Sequence, residues 1–132
     1  MSSVTRSHTH NLILFAHGAR DPAWAAPFER LRALAQAAMP AASVELAFLE
    51  LMQPDLPSAA AGQIARGAQR ITVVPVFLGQ GGHVRRDLPQ LLDQLRQAHP
   101  QVRIDAVPAA GEDDAVLQAI AAYCVAAMAA PG

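Results

Sequence analysis

Residues 12–22 read LILFAHGARDP. Leu12, Ile13, Leu14, Phe15 and Ala16 run without a polar break, as expected of a strand buried on both faces of a parallel sheet. His17, Gly18, Ala19, Arg20, Asp21 and Pro22 are turn chemistry. Beyond them Phe28, Leu31, Leu34, Ala35 and Ala38 recur at helical spacing, and Pro40 stops the helix. The same unit then returns. Residues 44–49 (VELAFL) read as a strand and 50–54 as a loop. Asp55 can cap the next helix, with Pro57 in its first turn and Gly67 at its end. Residues 71–78 (ITVVPVFL) are the most strand-like segment. Pro75 belongs near its carboxyl end, since proline gives no ladder donor.

Residues 79–83 (GQGGH) read as a flexible loop, and Asp87 opens a helix with Leu88, Leu91, Leu92 and Leu95 on one face. Residues 102–107 alternate, which predicts an edge strand. Glu112, Asp113 and Asp114 suit a helix N-terminus. A last apolar stripe, Val116, Leu117, Ile120, Tyr123, Cys124, Ala127 and Met128, predicts a helix with Cys124 in the core. The sum is an α/β fold: a three-layer, open, parallel four-stranded sheet with helices on both faces. It forms one domain over residues 11–130, with a disordered tail at 1–10.

Composition narrows the chemistry. The 132 residues are 52% hydrophobic and 16% charged, with formal net charge −1, which argues against disorder and against a nucleic-acid binder. The single cysteine excludes an internal disulfide, a CxxC pair and an iron–sulfur cluster held within the chain. All ten basic residues are arginine, so lysine Schiff-base chemistry and a Walker lysine are excluded. The glycine loop matches neither nucleotide fingerprint, so no nucleotide is expected. The polar N-terminus does not read as a signal peptide, and no apolar run has membrane-spanning length. A cytoplasmic chain without membrane or nucleic-acid partners is expected.

Ligands of open α/β sheets bind at the carboxyl ends of the strands. His17 follows the first strand, with Arg20 and Asp21; Glu50 follows the second. The third is followed by Gly81, Gly82 and His83, with Arg85 and Arg86 behind. Two imidazoles and a carboxylate on one rim can bind a divalent metal or move protons near neutral pH. Each signal alone has a plainer reading: a turn for His17-Gly18, a cap or solvent-facing acid for Glu50, a solvated helix start for Arg85-Arg86. His8 and His10 fall in the tail, His99 at a helix end, and Trp24 in the core or at the rim.

Taken together, LILFAHGARDP, VELAFLELMQP (residues 44–54) and ITVVPVFLGQGGHVRRDL (residues 71–88) resemble the small single-domain sirohydrochlorin chelatases. These belong to the class II tetrapyrrole chelatases, with the cobaltochelatase of the anaerobic cobalamin pathway as namesake. The resemblance implies a chelatase-like, flavodoxin-like arrangement and a homodimer that rebuilds the cleft of two-domain relatives. It implies His17 and His83 as metal ligands and catalytic residues, with Glu50 assisting. Arg20, Arg85, Arg86, Gly81 and Gly82 would meet the substrate. The implied reaction places Co²⁺, or alternatively Fe²⁺ or Ni²⁺, in sirohydrochlorin, the metal being a substrate. A non-catalytic tetrapyrrole or metal carrier is the alternative in another class. Ala19 stands where many relatives carry serine, removing any contact made by that hydroxyl. A hydrolase reading lacks a GxSxG nucleophile.

Overall fold

The computed structural model describes residues 9–79 and 81–131, His83 by its backbone alone. Four strands, β1 (His10–Ala16), β2 (Val44–Phe48), β3 (Arg70–Pro75) and β4 (Arg103–Ala106), alternate with four helices. These are α1 (Ala26–Ala38), α2 (Leu56–Ala65), α3 (Gly82–Ala98) and α4 (Asp114–Ala129), with short 3-10 turns at Pro22–Ala25 and Ala110–Glu112. The sheet is wholly parallel, in the order β2-β1-β3-β4. Its register sets Leu14 opposite Leu46 on one side and Val74 on the other. The α/β architecture read from the sequence is the one formed.

Strand alternation divides the interior. Ile13, Phe15, Ala47, Ile71, Val73 and Ile104 face α2 and α3, where they meet Leu56, Ala60, Leu88, Leu92 and Leu95. Ala16, Leu46 and Phe48 face the other way, toward Ala25, Phe28 and Trp24. Trp24 is therefore part of a satellite core, its ring 4.5 Å from that of Phe28. Right-handed crossovers account for the split: α1 precedes a step in one direction, α2 and α3 precede steps in the other.

Each edge strand has a backbone group taken up by a side chain. On β2, Gln36 Oε1 accepts from Val44 N at 3.0 Å and Arg32 donates to Val44 O at 3.3 Å. On β4, Arg96 Nε donates to Ile104 O at 2.8 Å. Such contacts occupy groups that would otherwise template another strand.

Several local expectations are corrected. β1 begins at His10, so that residue is not in a tail; its Nε2 lies 2.9 Å from Thr72 Oγ1. The rest of the expected tail, up to residue 8, lies outside the described residues. α3 starts at Gly82, ahead of Asp87, because the buried Val84 anchors an earlier turn to the core. Pro89 consequently sits inside the helix, where it leaves the Arg85 carbonyl without its usual donor. Cys124 is exposed rather than buried, since α4 does not lie on its own sheet and none of its residues is buried.

The caps of α2 form as the sequence predicts. Asp55 Oδ1 accepts from Ser58 N at 2.9 Å, and Gly67 follows the helix at φ 103°. The Ser58 side chain and then its N–H hold the Asp55 carboxyl below the usual carboxylate range. Asp55→Ala should cost about 1 kcal/mol at neutral pH. Because folding lowers this pKa, the cap stabilises above the unfolded value. Its contribution fades as pH falls through the folded one, so melting curves of wild type and variant should converge in acid. Phe15, fully buried with its ring edge-on to Phe77 at 6.1 Å, gives the larger effect. Phe15→Ala should lose about 3–5 kcal/mol in urea unfolding.

Candidate functional site

The site is built where β1 and β2 run out. Leu49 N donates to Ala16 O at 2.9 Å and Glu50 N to His17 O at 3.2 Å, so the pairing of the two strands continues into their loops. Gly18 makes this possible. Its φ is 98°, and a Cβ there would stand 1.9 Å from the Glu50 carbonyl oxygen. Only a residue without a side chain lets the two loops touch. Past Glu50 the chain reverses at once: Leu51 takes φ 68° and Met52 N donates back to Glu50 O at 2.8 Å. A left-handed leucine costs roughly 1–3 kcal/mol, which the surrounding contacts must offset.

His17 Nε2 and Glu50 Oε1 consequently stand 3.7 Å apart, with their side chains 49% and 46% exposed. This is ion-pair range when the imidazole is protonated. It is also the spacing of two donors sharing one cation: ligand distances of about 2.1 Å each would subtend an angle of about 120°. Among the described residues no third His, Cys, Asp or Glu joins them. Two protein donors leave the remaining coordination positions open for exchange.

The third strand brings its loop to the same rim. Val76 N donates to Phe15 O at 2.8 Å and Gly111 N to Phe77 O at 2.8 Å. A Cβ on Gly111 would stand 1.9 Å from the Leu78 oxygen, so the Ala110–Glu112 turn packs directly on the Leu78 backbone. His83 lies in the first turn of α3, at the end of the sheet that carries His17 and Glu50. Gly81 and Gly82 have open space where a side chain would project. Arg20, Arg85 and Arg86 are exposed.

The acids beside the site act as caps: Asp21 accepts from Ala23 N, Glu112 from Ala109 N, and Asp113 from Val116 N. Leu51 and Gly111 were not foreseen. The only sequence signal for Gly111 is a lone glycine before an acidic run. A cavity of about 780 Å³ lies along the β2 edge between α1 and α2 and includes neither His17 nor Glu50.

The chain matches the model of the CbiX family over residues 11–125. The chain belongs to the CbiX family. This CbiX-family chain is 36% identical over 88 residues to a sirohydrochlorin cobaltochelatase of Methanocaldococcus jannaschii, covering 67% of the chain and 62% of that protein. It is 32% identical over 76 residues to a sirohydrochlorin ferrochelatase of Bacillus subtilis, covering 58% of the chain and 29% of that protein. It thus spans less than two thirds of either relative. A crystal structure of a CbiX protein from Marinobacter aquaeolei VT8 superposes with TM-score 0.81 at 29% identity, covering 90% of this chain and 97% of that one. No described helix of the CbiX-family chain is long and apolar enough to cross a membrane.

Gly18→Ala should cost more than about 2 kcal/mol, since it combines a backbone clash with a left-handed φ. His17→Ala, at a half-exposed position, should change stability by less than about 1 kcal/mol. Urea unfolding of the two variants checks the contrast.

Proposed function

We propose that this chain is a sirohydrochlorin chelatase that inserts a divalent metal, Co²⁺ being favoured. The observation that carries the reading is the His17–Glu50 pair, 3.7 Å apart and half-exposed on the carboxyl rim of a CbiX-family sheet. The cobaltochelatase names of relatives such as that of M. jannaschii support the metal. Fe²⁺ is the second reading, favoured by the B. subtilis ferrochelatase.

Insertion replaces two pyrrole N–H protons with one M²⁺. The metal must be presented to the ring face without being bound too tightly to leave, and the protons need an acceptor. In the proposed scheme His17 and His83 hold the metal and take up the pyrrole protons, while Glu50 orients the metal or relays protons to solvent. Neutral imidazole is needed for both tasks. Sirohydrochlorin carries many carboxylates, which Arg20, Arg85 and Arg86 would clamp. Gly81 and Gly82 leave room for the macrocycle against the first turn of α3. The reaction needs no nucleotide and no iron–sulfur cluster. The scheme includes a cytoplasmic setting and a homodimer, in which a second rim completes the cleft.

Anaerobic insertion assays with sirohydrochlorin and Co²⁺, Fe²⁺ or Ni²⁺ test the proposal. His17→Ala and His83→Ala should each lower the rate by about 10²–10⁴-fold while the fold survives. Glu50→Gln should have the smaller effect. Full activity of both histidine variants, or no turnover above the spontaneous rate in wild type, would overturn the assignment. Ligand binding without turnover would instead fit a carrier.

A further inference from the structure

Asp87 does not do the work its place in the sequence suggests. α3 opens at Gly82 on a Gly81 cap, so Asp87 is its sixth residue and not its start. The free N–H groups and the positive end of the helix dipole lie in the first turn, ahead of it. Aspartate is also a poor residue for a helix interior. The residue is nonetheless half-buried.

Its surroundings give it a direction. With Leu49, Gln90, Leu91 and Gln94 it lines a cavity of about 250 Å³ and is the one ionisable group there. Asp87, Gln90, Leu91 and Gln94 follow at helical spacing, so one stripe of α3 is turned toward the end of β2, where Leu49 precedes Glu50. Four residues back along that stripe, one turn nearer the rim, is His83. Residues i and i+4 of a helix stand about 5–6 Å apart at Cβ, close enough for their side chains to meet. Arg85 and Arg86, one and two residues before Asp87, fall on other faces of the helix and are exposed.

We propose that Asp87 is the positioning residue of His83. Its carboxylate accepts the N–H of one imidazole nitrogen and leaves the other nitrogen its lone pair for the metal. The pairing takes its purpose from the proposed role of His83 as a metal ligand. An imidazole turns about two side-chain bonds and shares its proton between two nitrogens. A ligand that must present one lone pair toward His17 and Glu50 needs both freedoms removed. A carboxylate behind the ring removes both and makes the ligating nitrogen more basic. Gly81 and Gly82, the residues that lead into His83, have no side chains with which to do so.

Long-range proton–nitrogen NMR of the metal-free full chain, at a pH where histidine is neutral, reads the His83 tautomer. One tautomer should dominate in wild type. Asp87→Ala should return the mixture of a free imidazole, with far-UV circular dichroism unchanged, alanine being the better helix former. Asp87→Asn keeps an acceptor oxygen and should restore much of the bias. In titrations with Co²⁺ alone, Asp87→Ala should weaken binding about 10–100-fold. It should cause no further loss in a His83→Ala background, because it acts through that ring. A His83 tautomer indifferent to Asp87→Ala, or an undiminished loss of Co²⁺ affinity in the His83→Ala background, would overturn the pairing even in a chain that inserts metal. A tautomer fixed by Asp87 in a chain that binds no Co²⁺ would uphold the pairing and overturn the metal-binding role on which its purpose rests.

Discussion

The contact on which the rest depends is the passage of Gly18 beneath the Glu50 carbonyl. Parallel pairing of β1 with β2 brings two carboxyl ends to one side of the sheet, but strands alone would let their loops diverge. The Leu49–Ala16 and Glu50–His17 hydrogen bonds carry the ladder two steps further, and they form only because position 18 has no Cβ. The HG pair therefore works as a unit: histidine supplies the imidazole and glycine sets its distance from the carboxylate. Gly111 plays the matching part on the other side of the rim, pressing the post-β4 turn onto Leu78.

Much of this was legible beforehand because the signals were local. The apolar runs of β1 and β3, the Asp55-x-Pro57 start and the Gly67 end specify their own conformations. The parallel direction of the four strands follows from helices of ordinary length between them. What escaped was decided at a distance. The start of α3 depends on Val84 reaching a core made by other strands, a contact that outweighs the weak start signal of Gly81-Gly82. The left-handed Leu51 has no local glycine to announce it. Cys124 and its stripe have every mark of core, and periodicity reports that a face is apolar, never which surface it meets.

The site was legible to a similar depth. Topology alone placed His17 and Glu50 on one rim, and the structure brings them within 3.7 Å. The acids Asp21, Glu112 and Asp113, equally polar and equally near, prove to be committed to helix and turn caps. Capping thus separates structural carboxylates from Glu50, whose side chain is tied to no backbone donor among the described hydrogen bonds.

Openness at the rim has a physical logic. A resident metal is held by a closed set of ligands, whereas a metal in transit must be released, so a site with two donors and half-exposed side chains suits transfer better than storage. Such a site leaves its cargo accessible to solvent unless another surface closes over it. One small sheet flanked by one well-seated layer, α2 and α3, cannot supply that second wall. On the proposed reading a second copy does so.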